Sequence, residues 1–130
     1  MDRRASWSIG IALCVLVLVG CEAEPPQRAP VYGKVYFKKA PMRGGIIVFT
    51  PDAVRNGDGP ISHAEIQPDG SYVLRSDSGM GAMPGWHRVT ITGFGDGASS
   101  LPARYGDPDQ SGLTFEIKPG QDNLIDINLE

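Results

Sequence analysis

Cysteine and histidine are scarce in this chain of 130 residues. It has two cysteines, Cys14 and Cys21, and both lie within the first 21 residues. The rest of the chain can therefore form no disulfide and offers no thiolate to a metal ion. The two histidines, His63 and His87, are well separated, and neither lies in a ligand motif with cysteine, aspartate or glutamate. We therefore expect no metal, no cofactor, and a domain that its hydrophobic core alone stabilises.

Basic charge and catalytic motifs are lacking as well. After residue 20 the chain has 10 lysine and arginine residues against 14 aspartate and glutamate residues, without a basic stripe. Nucleic-acid binding therefore has no electrostatic support. There is no Gly-x-Ser-x-Gly motif for a nucleophilic serine. The acidic clusters 56–58 and 107–109 lack the spacing of a calcium-binding loop and are typical of turns. We therefore expect a protein that is not an enzyme.

One apolar stretch stands out near the start of the chain. Arg3 and Arg4 precede an uncharged run of 11 residues, Ile9–Val19. A stable transmembrane helix needs ~20 apolar residues, so the run is too short to span a bilayer. The sequence Leu18-Val19-Gly20-Cys21 follows, with a small residue just before a cysteine. This pattern is typical of a cleaved export signal.

The same pattern resembles the lipobox of bacterial lipoproteins. The resemblance implies a signal peptide at 1–20 and a lipidated Cys21, carrying acyl chains such as palmitate, as the first mature residue. It places the protein in the cell envelope, anchored to a bacterial membrane. The alternative is an ordinary secretory signal in which Cys21 is present by chance. Residues 21–30 contain three prolines and no apolar period, so we expect an extended tether to follow the anchor.

The remaining residues, 31–130, alternate between apolar and polar side chains, and no segment has a helical period. All 11 prolines and 15 of the 17 glycines follow residue 20, which favours short strands and many turns. The run 45–50 is almost wholly apolar, so we expect a central strand covered on both faces. Gln67-Pro68-Asp69-Gly70 predicts a hairpin turn. The fold class is therefore all-β, a seven-stranded antiparallel sandwich, with strands at 31–38, 45–50, 61–66, 71–75, 86–92, 113–117 and 125–129.

A succession of motifs in this part resembles the carboxypeptidase regulatory-like, or transthyretin-like, domain. The motifs are Val31-x-Gly33-x-Val35, Gly45-x-Ile47-x-Phe49-x-Pro51, Pro68-Asp69-Gly70-Ser71-Tyr72-x-Leu74 and Pro84-Gly85-x-His87-x-Val89-x-Ile91. Two later segments, 101–105 and 111–114, resemble short bacterial lipoproteins that carry this domain alone. The resemblance implies a seven-stranded prealbumin-like (immunoglobulin-like) sandwich over 31–130 and no catalysis. His87 stands where that family usually has a tyrosine, and its alternation with Val89 and Ile91 predicts a core position.

Four aromatic residues are candidates for a binding surface. Tyr32 and Tyr36 share the outer face of the first predicted strand, Trp86 lies on the outer face of its own strand, and Tyr105 lies in a long loop. Exposed aromatic side chains are favoured at contacts with sugars and proteins. The alternative is that they only cover a sheet or a loop. The implied partners are the membrane, through Cys21, and an envelope protein or glycan, but no nucleic acid.

We therefore expect a non-catalytic structural or binding module in a membrane-anchored lipoprotein. The alternative is an accessory subunit that binds carbohydrate or peptide for a partner enzyme. A further alternative is an isopeptide bond between Lys34 and Asn128, assisted by Glu65. Such a bond needs a desolvated interior, and alternation predicts outward positions for Lys34 and Asn128.

Overall fold

The computed structural model describes Gly20 and residues 27–93 and 101–130. The described residues contain eleven short strands and two short 3₁₀ helices, Ala53–Arg55 and Ala103–Gly106. The strands are β1 (Val31–Phe37), β2 (Ala40–Pro41), β3 (Ile46–Pro51), β4 (Ser62–Glu65), β5 (Ser71–Val73), β6 (Arg75–Ser76), β7 (Gly79–Met80), β8 (Gly85–Thr92), β9 (Thr114–Ile117), β10 (Asn123–Leu124) and β11 (Ile127–Leu129). They form two sheets, which confirms the prediction of an all-β sandwich. The described part of the chain has no helix that is both long and apolar enough to cross a membrane.

Strand β1 is the centre of the first sheet. Tyr32 lies opposite Val73 of β5 and also opposite Leu124 of β10, so these strands flank β1 on its two sides. Strand β2 continues the β5 side and β11 continues the β10 side. Both β10 and β11 run parallel to β1, so the prediction of a wholly antiparallel sandwich is wrong. These two strands are parallel to β1 because segment 123–129 starts beside the first residue of β1 and runs in the same direction.

The second sheet has the order β7-β6-β4-β3-β8-β9 and is antiparallel throughout. Strand β3 is central, as predicted, but only one of its faces is covered. Ile47 and Phe49 are buried against the first sheet, whereas Ile46 is 45% exposed. The prediction of cover on both faces is wrong because the first sheet packs against one side only.

The predicted hairpin after β4 is replaced by a crossing between the sheets. The turn forms, with Gly70 at φ 86° and the Gln67 N–H donating to the Ser71 carbonyl at 2.8 Å. Beyond it, β5 pairs with β1 while β6 pairs with β4. The chain changes sheet at Leu74, which is fully buried. The predicted strand 71–75 is thus split into β5 and β6. The predicted strand 125–129 is shortened to β11, with β10 forming just before it, and β2 and β7 form where a turn and a loop were expected.

The core lies between the two sheets. Its largest fully buried side chains include Tyr72, Phe49, Ile47, Leu74 and His87. The predicted core position of His87 is confirmed, and Tyr72 and Leu74 also point into the core.

The last residues of the predicted tether contact the sandwich. Ala29 is buried and exchanges two backbone hydrogen bonds with Ala82, at 2.9 and 3.0 Å. The Arg28 guanidinium donates to the Ser78 hydroxyl. These contacts hold 28–30 against the turn that follows β7. Residues 1–19 of the predicted signal peptide and Cys21, by contrast, lie outside the described residues.

Candidate functional site on the first sheet

The outer face of the first sheet carries three rows of side chains that cross its strands. Residues opposite one another on paired strands project from the same face. Strand β1 contributes alternate residues, so its outward side chains are Tyr32, Lys34 and Tyr36. Each lies between a residue of β5 or β2 and a residue of 123–129. The rows are Val73-Tyr32-Leu124, Ser71-Lys34-Asp126 and Pro41-Tyr36-Asn128. We call this surface the tyrosine face.

The first row of the tyrosine face is apolar and open. Val73 is 54% exposed, Tyr32 is 37% exposed and Leu124 is 64% exposed. Three large apolar side chains on adjacent strands form a continuous strip rather than scattered exposed residues. Contiguous apolar surface of this kind is typical of contacts with other molecules.

The middle row is polar and is ordered by hydrogen bonds. The backbone N–H of Lys34 donates to Asp126 Oδ1 at 2.9 Å. Beside the row, Asp69 Oδ1 accepts from the hydroxyl and the N–H of Ser71, and these bonds lower the pKa of Asp69. The row therefore holds the Asp126 carboxylate and the Ser71 hydroxyl in place between the two tyrosines, beside the exposed side chain of Lys34.

The third row places Tyr36 in line with Tyr32. Tyr36 is half-buried between Pro41 and Asn128. Four residues of extended chain separate the two tyrosines, which corresponds to ~13 Å along β1. The predicted outward positions of Tyr32 and Tyr36 are confirmed, while binding through them stays a prediction.

Trp86 is not part of the tyrosine face. It lies on β8 of the second sheet, with the Arg55 guanidinium 4.5 Å from the centre of its ring. Its neighbour His87 is buried in the core, so Trp86 points to the opposite outer face of the sandwich. The ring is half-buried. The candidate aromatics therefore do not form one surface.

Tyr105 is buried, contrary to the expectation of an exposed loop residue. It is 5% exposed, and its hydroxyl accepts from Arg104 Nη2 at 3.0 Å and from the Glu130 N–H at 3.1 Å. The guanidinium of Arg104 is the main reason that the pKa of Tyr105 is lowered. Tyr105 therefore links its loop to the end of the last strand. Alternation could not reveal this, because the residue lies outside any strand.

Sequence reasoning missed Val73 and Leu124 as members of the face. Because Tyr72 and Leu74 point inward, alternation along the strand indicates that Val73 points outward. Its place beside Tyr32 depends on the crossing between sheets at Leu74. The side chain of Val73 also borders a groove of about 770 Å³ between β4 and β5, whose rim carries His63, Glu65 and Arg75.

His87 is a buried ionisable side chain of the core, and it has no charged partner among residues 27–93 and 101–130. Its Nδ1 lies 3.0 Å from the Gly85 carbonyl, and its Nε2 is buried without a hydrogen-bond partner there. Burial lowers the pKa of His87. The ring packs beside Phe49, with centroids 6.1 Å apart. These features describe a neutral imidazole used as a core side chain.

The remaining candidate chemistries find little support in the described residues. Lys34, Glu65 and Asn128 are all exposed, so the desolvated interior that an isopeptide bond requires is not present around them. Over 27–93 and 101–130, no three side chains of the metal-binding types lie close enough together to hold an ion.

Comparison with known proteins yields no relative. The chain matches no family model, and no curated protein or solved structure is significantly similar to it.

Proposed function

We propose that this protein is an exported envelope lipoprotein, anchored to a bacterial membrane through lipidated Cys21. Its β-sandwich is a non-catalytic structural or binding module. The support for the anchor is the sequence Leu18-Val19-Gly20-Cys21 after a short apolar run. The finer fold, a seven-stranded prealbumin-like domain of the carboxypeptidase regulatory-like type, is part of the proposal. The motif order over 31–130 supports it.

The tyrosine face is the observation that carries the binding role. Its exposed strip Val73-Tyr32-Leu124 is apolar surface that remains in contact with water in the folded protein. Covering such a strip removes apolar surface from water at ~25 cal/mol per Å², which favours association with a partner. Because the strip lies on a sheet, its backbone is already ordered, so binding need not order a loop.

A second candidate function is that of an accessory subunit that binds carbohydrate or peptide for a partner enzyme. The in-line arrangement of Tyr32 and Tyr36 favours a chain-like ligand, because side chains that start ~13 Å apart along β1 can contact two separate units of one chain. The row between them supplies hydroxyl, carboxylate and ammonium groups from Ser71, Asp126 and Lys34. Aromatic faces with adjacent hydrogen-bonding groups suit the flat faces and hydroxyls of sugars.

The anchor is tested by the intact mass of the protein extracted from membranes, beside a Cys21→Ser variant. We expect a chain that begins at Cys21 and carries added acyl mass, with this mass and the membrane association lost in the variant. An unmodified chain in the soluble fraction of the wild type would show that the protein is secreted without an anchor.

The tyrosine face is tested by binding to envelope material. A Tyr32→Ser, Leu124→Ser variant removes most of the apolar strip, and Ile46→Ser is a matched truncation of an exposed apolar residue on the other sheet. We expect the double variant to lose retention on purified peptidoglycan and cross-linking to envelope proteins, while Ile46→Ser retains both. A further loss with Tyr36→Ser on a glycan array would favour carbohydrate. Equal behaviour of all variants would refute the proposed face.

A further inference from the structure

The first described residues of the domain meet the sandwich at one end. Ala29 forms backbone hydrogen bonds with Ala82, and the Asn123 N–H donates to the Pro30 carbonyl at 2.8 Å. The turn after β9 and the turn around β7 therefore lie beside the point at which the tether reaches the domain. We call this the tether end. Its loops are 52–61, 77–83 and 118–122.

Loop 52–61 belongs to the same end because of the pairing between β3 and β8. Pro51, the last residue of β3, lies opposite His87 near the start of β8. The Asp52 N–H then donates to the Trp86 carbonyl at 2.9 Å. Farther along the loop, Gly59 packs closely against Met83, since a Cβ at Gly59 would lie 3.0 Å from Met83 Cγ. The loop is thus packed against the segment that holds Ala29.

Large apolar side chains project from these loops. Val54 is 83% exposed, Met80 is 65% exposed and Ile61 is 53% exposed. The turn at the opposite end of β1 differs, because its exposed side chains include Lys38 and Lys39. Exposed apolar residues at loop tips are costly in water unless another phase or partner covers them. The two ends of the sandwich therefore present different surfaces.

The charges at the tether end do not favour either sign of partner. Arg28, Arg55 and Lys118 are matched in number by the exposed Asp58, Asp77 and Asp122, while the buried Asp52 of the same end faces Arg88. Attraction to this end must therefore come from its apolar side chains rather than from net charge. A neutral, partly apolar phase fits this surface better than a highly charged one.

The length of the tether brings this end close to the lipid. Seven peptide units join Cys21 to Arg28, and a fully extended chain covers at most ~3.6 Å per residue, or about 25 Å in all. We propose that the tether end docks on the lipid surface that holds the anchor, with Val54, Ile61 and Met80 among the headgroups. The inference rests on the proposed lipidation of Cys21. Shallow insertion of apolar side chains beside a covalent anchor adds membrane affinity and orients the domain.

The docked orientation has a consequence for the tyrosine face. The first row of the tyrosine face adjoins the tether end, because Tyr32 and Leu124 closely follow Pro30 and Asn123. The middle row and Tyr36 lie farther along β1, so docking leaves them open toward the envelope. The domain is then held at a defined angle instead of rotating freely on its tether.

The test reads the depth of single sites with a fluorescent bimane label. The full chain is expressed with Val54→Cys or Met80→Cys, and with Lys39→Cys as the matched control at the opposite end. Acylation occupies Cys21, so each variant has one reactive thiol. The proteins are placed in phosphatidylcholine vesicles that contain lipid with a nitroxide quencher. We expect quenching at 54 and 80 to exceed that at 39 by about threefold or more, and to persist in high salt.

The outcomes separate this inference from the proposed function. If intact mass shows acylation and the protein floats with vesicles, but 54 and 80 are quenched no more than 39, the docking is refuted and the anchor stands. If the chain carries no lipid and stays in solution, both ideas fail.

A second variant tests whether the apolar side chains themselves cause docking. An Asp58→Cys label reports from the same loops, with and without the changes Val54→Ser, Ile61→Ser and Met80→Ser. All of these positions are exposed, and circular dichroism checks that the fold is kept. We expect quenching at 58 to fall to the level at 39 when the three serines are present. Unchanged quenching would refute a role for these side chains.

Discussion

The burial of His87 predicts a specific loss of stability in mildly acidic solution. Its Nδ1 faces the Gly85 carbonyl, so the proton of the neutral ring lies on Nδ1 and Nε2 has no partner among the described residues. A second proton would place a charge on a ring that packs beside Phe49, at an Nε2 without a described acceptor. Burial accordingly lowers the pKa of His87 in the folded protein.

The sign and size of the effect follow from proton binding. Above pH ~6.5, His87 is neutral in both folded and unfolded chains and adds no pH dependence. Below that value the unfolded chain takes up a proton that the folded protein resists, so the free energy of unfolding falls as pH falls. One pH unit below 6.5 the loss is at most about 1.4 kcal/mol, and it levels off below the folded-state pKa.

The assay is urea unfolding of the wild type, His87→Phe and His63→Gln between pH 7.5 and 5.5. The range lies above the ordinary pKa values of aspartate and glutamate and includes that of histidine, so it is chosen to isolate the contribution of histidine. We expect His87→Phe to lose most of the pH dependence, because phenylalanine fills a similar volume without a titratable nitrogen. His63 is only half-buried, and His63→Gln should behave as the wild type does. Parallel pH dependence in the wild type and His87→Phe would refute the reasoning.

Three substitutions test contacts that hold the sandwich together, each by urea unfolding. Gly33→Ala should destabilise by about 3 kcal/mol or more, because its Cβ would lie 2.0 Å from the Ile125 carbonyl oxygen in the backbone. Tyr72→Phe should cost about 1–2 kcal/mol, because its hydroxyl donates to that same carbonyl. Asp52→Asn should cost about 1–3 kcal/mol, since the buried carboxylate faces Arg88 Nε at 3.4 Å.

Matched controls accompany these three variants. Gly106→Ala adds a Cβ whose nearest neighbour is 3.9 Å away, and Asp58→Asn neutralises an exposed carboxylate of the same loop. Tyr32→Phe removes a hydroxyl from an exposed ring. Each control should change stability by less than about 0.5 kcal/mol. A control as destabilising as its test variant would show that the named contact does not determine the effect.

Local alternation correctly predicted which side chains of the strands point inward. Val31 and Val35 of β1, and His87 and Val89 of β8, are buried as their spacing requires. The reason is that successive side chains of an extended chain point to opposite faces, whatever strand lies beside them. The turn at 67–70 was predictable for a similar reason, because its glycine adopts the positive φ that such turns need.

Strand partners could not be predicted in this way. Nothing in 71–76 shows that Val73 pairs with β1 while Arg75 pairs with β4, because both pairings satisfy the same alternation. The choice depends on the burial of Leu74 between the sheets, which is a contact between distant parts of the chain. The parallel return of 123–129 along β1 is decided by the same kind of contact.

The features of the candidate surfaces also fall into two groups, those that depend on neighbouring residues and those that depend on tertiary contacts. The sequence by itself determined the apolar run that ends at Cys21, the outward tyrosines of the first strand and the inward histidine, because each depends on neighbouring residues. Only the tertiary structure decided that Val73 and Leu124 extend the strip at Tyr32, that Tyr105 is buried, and that the loops with Val54 and Met80 meet at the tether end. These features join residues far apart in the chain, and packing of the two sheets brings them together.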